Sequence, residues 1–288
     1  MEFLEAAILG LLQGLTEFLP ISSSAHLRIF GDLVGWGDPG ATFTAITQLG
    51  TELAVLIYFR RRIARILSKW FRSFGSHGGS HSAGVRKGDP DVRMGWLVII
   101  GTVPIVIVGF LAQEYIRTVL RSLWIVAIVL IGFGILLGLA DRLGRGVKQE
   151  ADISYRDGVL IGVAQMLALV PGVSRSGAST SAGLALGYTR PAAAEFSFLL
   201  AVPAVFGAGL YETYTALTCT PAEDAGCGVG YGLAETTLAT VVALGVGLAV
   251  IAFLMQYLKR GSFLPFVIYR ILLGGALIAL ISTGILEP

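Results

Sequence analysis

Glu17, the run Ser22-Ser23-Ser24, His26 and Arg175 are the residues of this chain whose types and setting could do chemistry. Each lies in or beside an apolar stretch, where polar side chains are costly and mark functional positions. Glu17 follows Gln13 by four residues, so the two share one helix face about one turn apart. The serines follow Pro20, where the free N–H groups of a new helix begin, and helix N-termini bind anions. Arg175 stands between Ser174 and Ser176, with Gly172 and Gly177 allowing close backbone approach. An arginine, two serines and an open helix N-terminus make a phosphate cradle. Brought together, the two clusters supply a carboxylate, a histidine, serines and an arginine, the set needed for metal-assisted phosphoryl transfer. Structural readings stand beside this one. Ser22, Ser24, Ser174 and Ser176 can cap helices or bond their own backbone. Gln13 and Gln165 can bond across helices, and Glu17 with Arg175 can form an ion pair. Glu195, four residues after Pro191, can complement a helix N-terminus. Glu52 has no assignment from sequence.

The elements that must position these residues are membrane helices. Of 288 residues only 14% are charged, against about 25% in soluble domains. Hydrophobic residues make up 55% and there are 38 glycines. The mean hydropathy is +0.77. This excludes a soluble enzyme, a disordered chain and a nucleic-acid binder, and points to an all-α polytopic membrane protein. Six full spans are expected: Ala41–Phe59, Gly95–Gln113, Leu123–Ala140, Pro191–Tyr211, Thr236–Leu258 and Phe263–Ile285. Met1–Leu19 and Asp157–Val170 differ, since each runs into a proline and a Ser- and Gly-rich segment before a further short apolar stretch. Irregular backbone at membrane depth must be buried in protein or line a wet cavity, so both read as re-entrant helix hairpins. The start carries no basic residue before its apolar run, so no cleavable signal peptide is expected.

The two hairpins also resemble each other. Gly10-x-x-Gln13-x-Leu15 parallels Gly162-x-x-Gln165-x-Leu167, Pro20 parallels Pro171, and Phe43 parallels Phe196. One membrane domain built from two repeats, 1–145 and 150–288, follows, each with one hairpin and three transmembrane helices. An odd number of crossings inverts the second repeat, as in transporters with broken helices. Charge sets the orientation. Residues 60–93 hold nine Lys/Arg, whereas the loop 212–235 holds four acids and no Lys or Arg. The first is expected inside and the second outside, which puts Pro288 outside and brings the two hairpin tips together near the midplane. Cys219 and Cys227 fall in the outer loop, where a disulfide is permitted. Ser73–Gly88 reads as a flexible inner loop, with His77 and His81 solvated there rather than binding metal. Trp36, Trp70, Trp96 and Trp124 read as interface anchors.

The segment from Gln13 to His26, with its Glu/Gln-x-x-x-Glu pair and Pro-x-Ser-Ser-x-x-His, resembles the first signature of the undecaprenyl-diphosphate phosphatases of the bacitracin-resistance family. Pro171-Gly172-Val173-Ser174-Arg175-Ser176-Gly177 resembles the second. Similarity extends through Gln48-Leu49-Gly50, Glu195 to Pro203, and Phe263-x-Pro265-Phe266-x-x-Tyr269-Arg270, so it covers nearly the whole chain. The resemblance implies hydrolysis of undecaprenyl diphosphate to the monophosphate carrier of cell-wall synthesis, with resistance to bacitracin. It implies two inverted repeats, a divalent cation (Mg2+ or Ca2+) and a polyprenyl diphosphate substrate. The plasma membrane is the expected site, with the active centre open to the outer side, and a homodimer is admitted. Carried over by position, Glu17 is the essential acid, Ser23 the nucleophile or phosphate contact, His26 the acid/base and Arg175 the phosphate clamp. Ser22, Ser24, Ser174, Ser176 and Gly172 would bind phosphate, and Glu17 with Gln13 would hold the cation. Gln13 stands at the first acid position, and an amide ligates a cation more weakly than a carboxylate. Either Ser23 attacks, assisted by His26, or His26 activates water. A transporter or flippase on the same inverted repeat is the second reading. The type 2 phosphatidic-acid phosphatases fit poorly, since Ser174-Arg175 has no His five residues on.

Overall fold

The computed structural model describes residues 2–74, 88–112, 115–116, 119–218 and 231–286. The cysteine pair, His77, His81 and Pro288 lie outside these residues, so the expectations placed on them do too. Helix α1 spans Glu2–Thr16, α2 Ser23–Leu33, α3 Gly40–Tyr58, α4 Arg60–Phe74, α5 Pro90–Leu111 and α6 Leu123–Leu143. Then follow α7 (Tyr155–Met166), α8 (Arg175–Ala185), α9 (Arg190–Thr218), α10 (Leu233–Tyr257) and α11 (Leu264–Ser282). Among the described residues no strand is present, and six helices, α3, α5, α6, α9, α10 and α11, are long and apolar enough to cross a membrane. These are the six expected spans. Large apolar side chains such as Ile128, Phe253 and Leu272 point outward, the reverse of a water-facing surface.

The shorter helices form two interrupted pairs, α1–α2 and α7–α8. Pro20 and Pro171 lack the N–H a helix needs, and each disfavours helical backbone in the residue before it. Thus α1 stops at Thr16, and α7 passes through a tight turn at Leu167–Leu169 and stops. Each pair restarts after a serine of positive φ, Ser22 at 74° and Ser174 at 68°. Such backbone costs on the order of 1–3 kcal/mol in a residue other than glycine and clusters at functional sites.

Helix α1 packs on α10, and α7 packs on α5. Both contacts are backbone-close. A Cβ on Gly10 would lie 2.4 Å from the Ala239 carbonyl oxygen, and one on Gly162 would lie 2.3 Å from the Gly101 carbonyl oxygen. Helices α6 and α11 pair with each other, as do α3 and α9. One helix not expected from the sequence is α4, an amphipathic helix of 15 residues within the basic segment. Its Ile63 and Ile66 pack against the main core. Its Arg62 forms ion pairs with Asp91 and Glu150 and lies 3.7 Å from Glu195. Glu195 therefore serves an ion-pair network.

Candidate active site

The two breaks meet. Arg175, the first residue of α8, forms an ion pair with Glu17, which sits just past the end of α1. Ser23, the first residue of α2, donates its hydroxyl to Glu17 Oε2 at 2.6 Å. Gln13 Nε2 donates to the same oxygen at 2.6 Å. A carboxylate this buried, 8% exposed, needs such partners to stay charged. Backbone ties hold the breaks in register. The Gly172 N–H donates to Ser22 Oγ at 3.2 Å, and Ser176 Oγ donates to the Leu19 carbonyl at 3.3 Å. Ser174 Oγ caps its own helix by accepting from the Gly177 N–H at 3.2 Å.

Beneath both breaks lies Arg270 of α11, fully buried. Its guanidinium donates to the carbonyls of Pro20 (3.0 Å), Val173 (3.1 Å), Gly172 (2.7 Å) and Leu130 (3.1 Å). The carbonyls of Pro20, Gly172 and Val173 lie in the breaks, where no helix supplies them a partner, whereas Leu130 lies within α6; one planar five-donor group collects them all.

Glu17, Ser22, Ser23, Ser24, Ser174 and Arg175 form the polar end of a cavity of ≈ 530 Å³. The rest of the wall is mostly apolar: Ala41 and Ala45 of α3, Ile105, Val106, Gly109 and Phe110 of α5, and Ala204, Val205, Gly207 and Ala208 of α9. The α5 and α9 wall residues directly follow Pro104 and Pro203, the prolines inside those helices. A polar head and a long greasy body fit this shape. At the far end Thr42 donates to Glu212 Oε2 at 2.8 Å, joining α3 to α9.

His26 does not line this cavity. Its Nδ1 lies 2.7 Å from the Ser22 carbonyl oxygen and its Nε2 2.6 Å from the Tyr269 hydroxyl, against whose ring it stacks. A carbonyl only accepts, so Nδ1 carries the proton and Nε2 accepts from Tyr269. The expected His26–Ser23 contact is thus absent among the described hydrogen bonds. Glu52 of α3 is the residue sequence reading left unplaced. Its Oε1 lies 3.0 Å from Arg175 Nη2, the nitrogen that also meets Glu17. Its signal was a carboxylate within an apolar span.

A family model described as bacitracin resistance protein BacA matches residues 6–276. This chain belongs to that family. It is similar over its whole length to proteins named undecaprenyl-diphosphatase. That of Clavibacter michiganensis is 62% identical, covering 99% of this chain and 98% of its own. That of Micrococcus luteus is 58% identical, covering 100% of both. That of Thermobifida fusca is 49% identical, covering 100% of this chain and 93% of its own. Among BacA features read from the sequence, Glu17, Ser23, Arg175, Gln13 and the flanking serines come together, whereas His26 lies outside the cavity against Tyr269.

A cation has candidate ligands here. Gln13 Oε1 and Glu52 Oε2 are buried oxygens with no hydrogen-bond partner; Gln13 bonds Glu17, and Glu17 and Glu52 share Arg175. Among the described residues no group of three His, Cys, Asp or Glu forms a metal site by itself. Two carboxylates, an amide and substrate phosphate oxygens match the way Mg2+ is held.

Proposed function

We propose that this chain is an integral-membrane phosphatase that hydrolyses undecaprenyl diphosphate to undecaprenyl phosphate and inorganic phosphate. Return of the carrier lipid supports cell-wall synthesis and confers bacitracin resistance. The observation that carries this is the convergence of Glu17, Ser23 and Arg175, from both breaks, at the polar end of an otherwise apolar cavity. Relatives 48–62% identical over the chain carry the diphosphatase name. A transporter of a polyprenyl phosphate is not favoured, since a phosphate cradle alone needs no hydroxyl held against a carboxylate.

In this reading Arg175 and the N–H groups at the start of α8 bind the terminal phosphate and offset the charge developing on it. Ser23 Oγ attacks the terminal phosphorus, the bond to the bridging oxygen breaks, and the lipid monophosphate leaves. Glu17, already accepting from Ser23, takes the hydroxyl proton. Water then attacks the phosphoserine phosphorus, the P–Oγ bond breaks, Glu17 returns its proton to Ser23 Oγ, and the water's oxygen and protons leave with the inorganic phosphate. His26 anchors the start of α2 through the Ser22 carbonyl and Tyr269. A divalent cation, Mg2+ or Ca2+, held by Glu17 and Gln13, would neutralise diphosphate charge.

The architecture we favour has two inverted repeats, 1–145 and 150–288, with α1–α2 and α7–α8 as re-entrant hairpins. The matched serines of positive φ and the matched Gly10 and Gly162 contacts support it. The charge pattern supports a centre open to the outer side of the plasma membrane. The cavity is walled by the late halves of α5 and α9 and the early half of α3, the halves this orientation turns outward. A homodimer is compatible with this arrangement. Phosphate release from undecaprenyl diphosphate by the purified protein, with and without EDTA, tests the function. EDTA-sensitive release is expected, and absence of release in both conditions overturns the proposal. Trapping phospho-Ser23 tests the nucleophile.

A further inference from the structure

Glu52 has three properties a residue of the bilayer interior rarely combines. It is a carboxylate within a span, it is 1% exposed, and half of it is unsatisfied. Its Oε1 meets Arg175, but its Oε2 has no hydrogen-bond partner. Burying such an oxygen is costly unless something occupies it.

The charge balance sharpens the point. Glu17 and Glu52 share one nitrogen of one guanidinium. Two carboxylates against one cation leave this buried cluster short of positive charge, while the substrate brings more negative charge to it. The third wall is Gln13. Its Nε2 is fixed by donating to Glu17 Oε2, because the opposite orientation would set two acceptors against each other. Its Oε1 is therefore turned away from that oxygen, and it too is unpartnered and fully buried. Two buried acceptor oxygens, on α1 and on α3, are thus left without a donor, and oxygen ligands of this kind suit a hard cation.

We infer that Glu52 is the second carboxylate of the cation site, acting with Glu17 and replacing from α3 the acid that Gln13 does not supply on α1. This inference rests on the phosphatase reading and deepens it. An amide at position 13 then contributes one neutral oxygen, and the site keeps two charged ligands drawn from two different helices. The Arg175 guanidinium holds the two carboxylates together, leaving them preorganised.

The test is Mn2+ binding to the full-length protein in nanodiscs, followed by electron paramagnetic resonance without substrate, beside a melting curve for each variant. Glu52→Gln should weaken Mn2+ binding at least tenfold, as should Glu17→Gln. Gln13→Glu placed on Glu52→Gln should restore most of the affinity, because a carboxylate returns to the same cluster. Gln13→Glu alone should tighten binding, which keeps the idea testable if Glu52→Gln does not fold. Wild-type affinity in Glu52→Gln overturns the inference and leaves Glu52 as a clamp for Arg175, visible as a raised KM with cation binding intact. No restoration by Gln13→Glu in a folded double variant overturns it as well, and so does absence of Mn2+ binding to the wild type. Glu52-dependent Mn2+ binding without phosphate release would instead sink the phosphatase reading and leave the site standing.

Discussion

The two breaks have one backbone and two chemistries. In both, a helix stops near a proline, a serine takes positive φ, and a new helix begins one residue later. At the first break that residue is Ser23, and at the second it is Arg175. The first break also carries Glu17, where the second has Leu169 at the matching offset. Even the paired serines diverge. Ser22 accepts from Gly172 across the gap, whereas Ser174 caps its own helix. Two breaks of like backbone thus carry different side chains, and in the proposed mechanism that difference separates nucleophile and base from anion clamp.

This comparison can be broken at several points. The largest effect is expected where the two breaks touch chemically. Arg175→Ala and Glu17→Ala should each lower phosphate release by roughly 10²–10³-fold or more, measured in detergent with folded protein, and retention of most activity by either would remove it from the site. Arg270→Ala tests whether the breaks share one mechanical support. Leaving several buried carbonyls unsatisfied should cost about 3 kcal/mol or more, read as a fall in Tm, and Tm near wild type would mean that each break stands alone. Gly10→Ala and Gly162→Ala probe the matched scaffold itself. Each pushes a methyl into a carbonyl oxygen and should cost about 1–3 kcal/mol, with similar Tm falls in both, and a large effect in one alone would refute the match. The smallest effect separates the serines. Ser174→Ala should lose a cap of about 1 kcal/mol, seen mainly in Tm. Ser22→Ala should act mainly on kcat/KM, because it loosens the tie between breaks rather than a helix end.

Much of this was legible in the sequence because it is written in local terms. Hydropathy marked all six spans, prolines marked both breaks, and motif spacing brought Glu17, Ser23 and Arg175 into one site. What escaped depends on which helices meet. Glu52 looks like an isolated charge until α3 packs where its carboxylate reaches Arg175. His26 sits one turn past Ser22, and the motif resemblance paired it with Ser23. The helix instead turns its ring to Tyr269, 243 residues away. Helix α4 was hidden because its arginines dominate its composition, while the Ile63 and Ile66 stripe that seats it is sparse.

Arg270 also bears on how the molecule works as a machine. Carriers built from inverted repeats expose a central site alternately by rocking one half against the other. Here a single side chain on α11 grips carbonyls of both helix breaks at once. Rocking would shear those bonds in every cycle, inside a medium that offers no replacement donors. A centre held in this way is expected to act as a locked hub rather than a hinge, with substrate and products using the same door.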